Sequence, residues 1–204
     1  MSSDHPFLFA SLDSHKPLTT RKVHIRRLYD VLQLAIHRND LTRANRAWCI
    51  LARCKEIHWM TLWTIGLHLL STGVEEGDIK QLGYLRTMML RHQEDRECIL
   101  KELVLRLIML GKYREAQDEL ELYLPSFPYS DNPVLHLYAG LISLYMAQPT
   151  PPSTTFNSIL LREAQSHFEH TTMLDPDNVV AGAFLDKVST LHHPTSLQLI
   201  TYLH

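Results

Sequence analysis

One segment, residues 110–124, constrains the fold more than any other part of the sequence. Gly111 ends an apolar run. Tyr113, small Ala116, Leu120 and Tyr123 then follow at spacings of three and four residues, before Pro128. This spacing is typical of the second helix of a tetratricopeptide repeat, in which a small residue lets two helix backbones approach closely. The segment therefore predicts a helix with one apolar face, paired with a partner helix.

A single helix pair cannot bury its apolar face alone, so several are expected in tandem. The first helix of this repeat opens at Glu97, with inward leucines at positions 100, 103 and 107. One period of about 34 residues later, a unit opens at Asp131 with Val134, Leu137 and Leu141 inward. Its second helix comes late in the sequence, with Ala164, Phe168 and Thr171 inward.

The same pattern extends towards the N-terminus. Repeat one opens at Ile25 and places on its inner face Leu28, Val31, Ala35, Leu41, Ala44, Trp48 and Leu51. Asn39 occupies the place of Gly111, which suits a residue that tolerates a left-handed backbone. Repeat two opens at Trp59, has a longer turn at 71–78, and places inward Leu62, Ile65, Leu69, Leu82, Arg86 and Met89.

The predicted fold is therefore all-α, with tandem antiparallel helix hairpins in a tetratricopeptide-like solenoid and a C-terminal capping helix. A helical repeat domain spans residues 21–192, between a flexible arm at 1–20 and a tail at 193–204. The predicted repeats cover 25–58, 59–96, 97–130 and 131–178, and the capping helix covers 179–191. A Pro-rich segment at 148–158 cannot continue a helix and is expected to form a loop.

Composition supports a helical protein of the nucleus or cytosol. The sequence has no alternating Val/Ile/Thr runs of the kind that form strands. Cys49, Cys54 and Cys98 lie in apolar helical patterns, which favours reduced packing residues over a disulfide or zinc site. No apolar run approaches the ~20 residues of a membrane span, and the run at 7–12 is too short for a signal peptide.

Charge is distributed unevenly along the chain. Residues 1–58 contain ten Lys/Arg and five Asp/Glu, although the formal net charge of the whole chain is -2. A basic contact surface is expected in this part of the chain, formed by Arg21, Lys22, Arg26, Arg27, Arg38, Arg43, Arg46 and Arg53. Nucleic acid, an acidic protein partner and an ordinary solvated surface all explain such an excess.

The sequence contains no set of residues that indicates catalysis. It has no Gly-rich phosphate loop or nucleophile motif, so we expect neither an enzyme nor a cofactor. Glu163, His167 and His170 share one helical face at metal-ligand spacing. Because that face lies about 100° from Ala164 and Phe168, we expect it to point to solvent, and no metal site is predicted.

Partner binding is a better-supported hypothesis. In arrays of this kind the first helix of each hairpin lines a concave groove. The offsets predict a partner groove lined by Tyr29, Gln33, Trp63, Leu67, Lys101, Leu105, Leu135 and Ala139. This set is aromatic and aliphatic with one lysine, which favours a permanent protein partner over an acidic peptide. Neighbouring helices or the N-terminal arm are alternative occupants of the groove.

Residues 24–70 carry a more specific signature than the repeat pattern. It consists of His24-x3-Leu28-x3-Leu32, Asn39-Asp40, Arg43-Ala44-x-Arg46-Ala47-Trp48, Leu51-x-Arg53, Trp63-x2-Gly66 and Leu69-Leu70. This signature resembles the fungal helical-repeat subunit of the RNA polymerase I core factor, the counterpart of a TBP-associated factor in the animal selectivity factor. Repeats three and four match only as repeats.

The resemblance implies a non-enzymatic scaffold in the nucleolus. Its partners would be a TFIIB-like zinc-ribbon and cyclin-fold subunit, a β-propeller subunit, TBP, RNA polymerase I and, through the complex, ribosomal promoter DNA, with no membrane. Contacts made by the long extensions of larger family members are not carried over to this chain. A chaperone or trafficking adaptor that binds peptides, and a nucleic-acid-binding helical repeat, are the alternative functions.

Overall fold

The structure, a computed structural model, describes residues 19–57, 62–70, 76–149 and 155–192. Within these ranges it is built from α-helices and one 3₁₀ turn at Tyr129–Asp131, without strands, which confirms the all-α class. The helices are α1 (Thr20–His37), α2 (Leu41–Leu51), α3 (Trp63–Leu70), α4 (Glu76–Arg91), α5 (Arg96–Met109), α6 (Tyr113–Tyr123), α7 (Pro133–Met146), α8 (Ser158–Leu174) and α9 (Val179–His192).

The chain separates into two compact units, Met1–Met88 (unit 1) and Met89–His204 (unit 2). Helix α4 begins in unit 1, and its last residues fall in unit 2. The predicted arm at 1–20 lies almost wholly outside the described residues, as does the predicted tail at 193–204. The tetratricopeptide assignment and the repeat boundaries stay predictions.

In unit 1 a hairpin of α1 and α2 forms the main core. Helix α1 begins after Thr19, whose hydroxyl accepts a hydrogen bond from the Lys22 amide. Asp40 caps α2 in the same way, its carboxylate accepting from the Arg43 amide at 3.1 Å. The buried side chains of this cluster are aliphatic, and comprise Ile25, Leu32, Ala35, Ala44, Ala47, Leu51, Ile57, Leu62 and Leu69. Their burial stabilises the hairpin.

The two turns compared in the sequence have the same backbone. Asn39 has a φ of 56° and Gly111 a φ of 72°, so both lie in the left-handed region. After each, an amide bonds back five residues at 2.9 Å, from Asp40 to the Ala35 carbonyl and from Lys112 to that of Leu107. This is the Schellman arrangement that closes a helix C-terminus. The predicted equivalence of Asn39 and Gly111 is therefore confirmed.

Gly66 explains how α3 packs inside unit 1. A Cβ at this position would lie 2.7 Å from the Trp48 ring and closer still to the Tyr84 hydroxyl. That hydroxyl donates a hydrogen bond of 3.1 Å to the Trp63 carbonyl, and burial raises the pKa of Tyr84 to about 12. Only glycine permits this close approach of α3 to its neighbours.

In unit 2, α5, α6 and α7 pack against one another. The leucines at 100, 103 and 107 are fully buried, as Ala116 is, so the predicted inner faces of repeat three are confirmed. A polar contact joins the starts of two of these helices: the buried Asn132 side chain donates to the Glu97 carboxylate. The Asn132 oxygen also caps α7, accepting from the Val134 amide at 3.0 Å. Both ends of this side chain are therefore satisfied, as burial requires.

Helices α7, α8 and α9 form the second core of unit 2. Phe168 is fully buried in α8 and stacks on Phe184 of α9, with ring centroids 5.8 Å apart. A Cβ on Gly140 would lie 2.7 Å from the Phe168 ring, so α7 presents a glycine where that ring must fit. The predicted inner positions Ala164, Phe168 and Thr171 are all confirmed as buried.

Asparagine side chains begin the helices around this core. Helix α7 ends at Met146 and α8 begins at Ser158, and residues 150–154 of the predicted loop lie outside the described ranges. Asn157 caps α8 with a bond of 3.0 Å from the Ile159 amide. Asn178 caps α9 similarly, accepting from the Ala181 amide at 3.0 Å.

Two predicted inward positions are wrong. Val31 is 41% exposed, because its neighbour Leu32 takes the buried place on α1. Arg86 is exposed, and Leu85 is fully buried in its stead. Adjacent helical positions differ by about 100°, so a register error of one residue exchanges a core position for a surface position.

Candidate partner-binding surfaces

The eight predicted groove residues differ in accessibility. Lys101 is half-buried and Leu105 is 36% exposed, both on α5. Tyr29 and Gln33 on α1 are half-buried. The remaining four are buried to 8% exposure or less: Trp63, Leu67, Leu135 and Ala139. Only Lys101, Leu105, Tyr29 and Gln33 of the eight are therefore accessible to a partner.

The cause of this burial is clearest on α7. That helix packs against α5, α6 and α8, so few of its faces remain open, and Leu135 is fully buried. The offsets place a residue on a face of its own helix. They do not state how many other helices cover that face.

The predicted basic residues lie on two helices and their flanks. At one end of unit 1, Arg21 donates to the Glu56 carboxylate through its Nε and, at 3.2 Å, through its Nη2. The bond from Arg21 lowers the pKa of the Glu56 carboxyl, and the same bond raises that of Arg21. Arg21 is thus partly neutralised by this acid, while Lys22 beside it is exposed.

Helix α2 presents a basic stripe. Arg43, Arg46 and Ile50 follow one another at spacings of three and four residues, so they share one face of α2, and Arg53 follows in the turn after the helix; all four are exposed. Arg43 pairs with Asp40 at 3.4 Å. Within the described residues, neither Arg46 nor Arg53 forms an ion pair. Such a stripe attracts phosphate or carboxylate groups.

Helix α1 carries the rest of the predicted basic surface. Arg26 is half-buried, whereas Arg27 and Arg38 are exposed. They flank exposed Val31 and Leu34, so this face is basic at both ends and apolar in the middle. The sequence placed these arginines at the surface but did not reveal the apolar pair between them, because Val31 was assigned to the core.

A histidine cluster lies between α7 and α8. His136 is buried at 8% exposure, and its Nδ1 is 3.2 Å from Nδ1 of His167. Its Nε2 is 3.0 Å from the Ser130 carbonyl, and Nε2 of His170 is 3.3 Å from the same oxygen. Glu163 and His170 are exposed, as expected of their helix face, but the expectation is wrong for His167, because α7 brings His136 against it. Histidines at 167 and 170, three residues apart, were the sequence signal.

The contacts of the cluster define its protonation. A carbonyl oxygen only accepts, so Nε2 of His136 carries a hydrogen and, in the neutral ring, its Nδ1 accepts from Nδ1–H of His167. Burial, and then the neighbouring His136 and His170, lower the pKa of His167 to about 4. Burial also lowers the pKa of His136. Both rings are therefore neutral near pH 7.

The same geometry is that of a hydrogen bond, not a metal chelate. The ring centroids of His136 and His167 are 5.5 Å apart, and their Nδ1 atoms are 3.2 Å apart. The difference is nearly the width of one ring, so both Nδ1 atoms lie close to the line that joins the centroids. The two nitrogens thus point at each other, whereas chelation requires both lone pairs to point at one ion. Among the described residues no group of three or more His, Cys, Asp or Glu is arranged to hold a metal ion.

A small cleft lies beside the turn before α6. It has a volume of about 460 Å³ and is lined in part by Tyr113, Tyr145 and Lys112. The two tyrosine rings are 4.3 Å apart. The cleft was not predicted from the sequence, because Tyr145 contacts Tyr113 only through the packing of α6 on α7.

Two further predictions concern cysteines and membranes. Cys54 packs against the core of unit 1, as expected, but Cys49 and Cys98 are exposed and do not pack in a core. Within the described ranges, no helix has the length and apolar character needed to cross a bilayer.

Comparison with known proteins tests the resemblance that the sequence analysis gave for residues 24–70. Residues 10–101 match the model of a family described as RNA polymerase I-specific transcription initiation factor Rrn11. The chain is similar to such a factor. A curated protein from Schizosaccharomyces pombe, "RNA polymerase I-specific transcription initiation factor rrn11", is 29% identical over 146 residues, which cover 65% of this chain and 72% of that protein. The predicted resemblance is confirmed, and its most specific part, residues 24–70, lies within the matched range. No solved structure matches the chain.

Proposed function

We propose that this chain is a non-enzymatic scaffold subunit of the RNA polymerase I core factor. The match of residues 10–101 to the Rrn11 family carries the proposal. This range includes α1 and α2, which hold the exposed Arg27, Arg43 and Arg46, together with α3, α4 and the first part of α5. The chain would act in the nucleolus, supporting promoter binding and preinitiation complex assembly at ribosomal DNA.

The proposed partners are those of the core factor: a TFIIB-like zinc-ribbon and cyclin-fold subunit, a β-propeller subunit, TBP and RNA polymerase I. The accessible residues of the predicted groove are proposed partner contacts within each unit: Tyr29 and Gln33 in unit 1, and Lys101 and Leu105 in unit 2. The α2 stripe, with Arg46 and Arg53 unpaired among the described residues, would meet promoter phosphates or acidic segments of these partners.

The function is tested by purifying the tagged full-length chain from its own cells. We expect it to co-purify with the two core factor subunits, and extracts depleted of it to lose initiation at the ribosomal promoter. Arg46→Glu with Arg53→Glu should reduce that initiation about tenfold or more. Arg114→Glu with Arg162→Glu, two exposed charge reversals in unit 2, is the matched control and should have little effect.

A soluble monomer free of these subunits would instead support the adaptor. Tight, strongly salt-dependent DNA binding by the isolated chain would support a direct nucleic-acid-binding function. Both outcomes contradict the scaffold proposal.

A further inference from the structure

The outer face of α1 carries a regular seam. His24, Arg27, Val31, Leu34 and Arg38 follow at spacings of three, four, three and four residues. At about 100° per residue these five positions fall within a stripe about 80° wide, and they extend over about 21 Å of helix. This is the spacing with which one helix packs along another in a coiled coil.

The seam is open in the structure. All five residues are exposed, and the two apolar ones, Val31 and Leu34, are 41% and 48% exposed. The opposite face of α1, with Ile25, Leu32 and Ala35, is already buried in the core of unit 1. The seam is thus a second apolar face on a helix whose folding does not require it.

The charges along the seam indicate the chemistry of a complementary surface. His24 and Arg27 lie at one end and Arg38 at the other, and the seam itself contains no acidic residue. Asp30, the one acidic residue in α1, lies beside the stripe. Among the described residues, Arg27 and Arg38 form no ion pair. The complementary surface is aliphatic at its centre and acidic at both ends.

A nucleic acid backbone fits this pattern poorly. Phosphates would pair with Arg27 and Arg38 but would leave Val31 and Leu34 against a charged surface, without burying their apolar area. Helical spacing combined with a central apolar pair instead favours a helix of a protein.

We propose that the α1 seam docks an α-helix of another polypeptide, one with aliphatic residues at three- and four-residue spacing flanked by Asp or Glu. The inference deepens the proposed scaffold function and rests on it. One seam buries too little area to hold a partner alone, since specific interfaces bury about 1,200–2,000 Å² in total. The seam therefore forms one part of a larger contact, as an assembly subunit requires.

The test places a photo-crosslinking amino acid at Leu34 of the full-length chain in its own cells. Mass spectrometry then identifies the attached peptide. We expect one peptide of another protein, with aliphatic residues at helical spacing and acids on both sides. The same group at His37, exposed on α1 about 100° from the centre of the seam, is the control and should not give this product.

Charge-reversal variants test whether the two arginines of the seam pair with acids of the captured peptide. Arg27→Glu with Arg38→Glu should reduce the yield of the Leu34 product about tenfold or more. Reversing the acids of the captured peptide to lysine should restore it. Arg114→Glu with Arg162→Glu, two exposed arginines of unit 2, matches the charge change and should leave the yield unchanged.

Several results would overturn the proposal: attachment to residues 1–18 of the same chain, to a second copy, to nucleic acid, or to a peptide without acids. Absence of any product from a chain with an unchanged circular dichroism spectrum would overturn it as well. Failure of the seam is distinguishable from failure of the scaffold function, because a chain that still co-purifies with the initiation factors retains that function.

Discussion

Units 1 and 2 are both built from helix hairpins, yet they use their polar residues differently. In unit 1 the ionic contacts lie at the surface, as between Arg21 and Glu56 and between Asp40 and Arg43, and the α1–α2 core is aliphatic, although Gln81 on α4 is also buried. In unit 2, polar side chains are buried between helices: Asn132 on Glu97, and His136 between His167 and the Ser130 carbonyl.

Buried polar contacts and exposed side chains have different consequences for a fold. A buried polar contact fixes one arrangement of helices, because any other arrangement leaves its groups without hydrogen bonds. Exposed arginines and the apolar pair Val31 and Leu34 leave unit 1 with surfaces that its own fold does not satisfy. Buried polar contacts thus fix helices of unit 2 against one another, whereas the proposed contacts of α1 and α2 with partners lie in unit 1.

The strongest test of the comparison introduces a charge at equivalent small core positions. Ala44 and Ala116 are both fully buried. Ala44→Asp and Ala116→Asp should each lower the free energy of unfolding of their own unit by about 3–5 kcal/mol, because each buries an unpaired carboxylate. Region-resolved hydrogen exchange measures this loss. Ala183→Asp, on the exposed face of α9, is the control. Unchanged exchange around Ala116 would contradict the predicted register.

Glycine substitutions give the next largest effect. Gly140→Ala should cost about 2–3 kcal/mol, since its Cβ meets the fully buried Phe168 ring at 2.7 Å. Gly66→Ala should act similarly in unit 1, against Trp48 and Tyr84. Urea unfolding measures both. At Gly83 and Gly182 an added Cβ meets nothing within 4 Å, so alanine there should stabilise by up to about 1 kcal/mol. Equal effects at all four positions would contradict the packing described here.

The pH dependence distinguishes the units with a smaller effect. His136 and His167 have pKa values below the ordinary 6.5, that of His167 being about 4. The unfolded chain therefore binds protons first as pH falls. The stabilisation that these two neutral histidines give the folded state is present above about pH 6.5 and is lost as pH falls towards 4. We expect a loss on the order of 1–2 kcal/mol between pH 7 and pH 5, confined to unit 2.

Hydrogen exchange followed at both pH values measures that loss by region. His136→Gln should flatten the dependence, whereas His37→Gln, an exposed substitution in unit 1, should not. An equal acid-induced loss in both units would show that the cluster is not its source.

Local rules in the sequence determined the helices, their caps and their turns. Asn39 and Gly111 revealed the turns because few residues adopt a positive φ, and Ala116, Phe168 and Thr171 revealed the core through helical spacing. Tertiary packing decided the rest. Burial of Leu135 depends on how many helices surround α7, and the contact of His136 with His167 joins residues 31 apart. Periodicity fixes a residue's direction from its own helix axis, but only the packed neighbours decide whether that direction leads to solvent, to another side chain or to a partner.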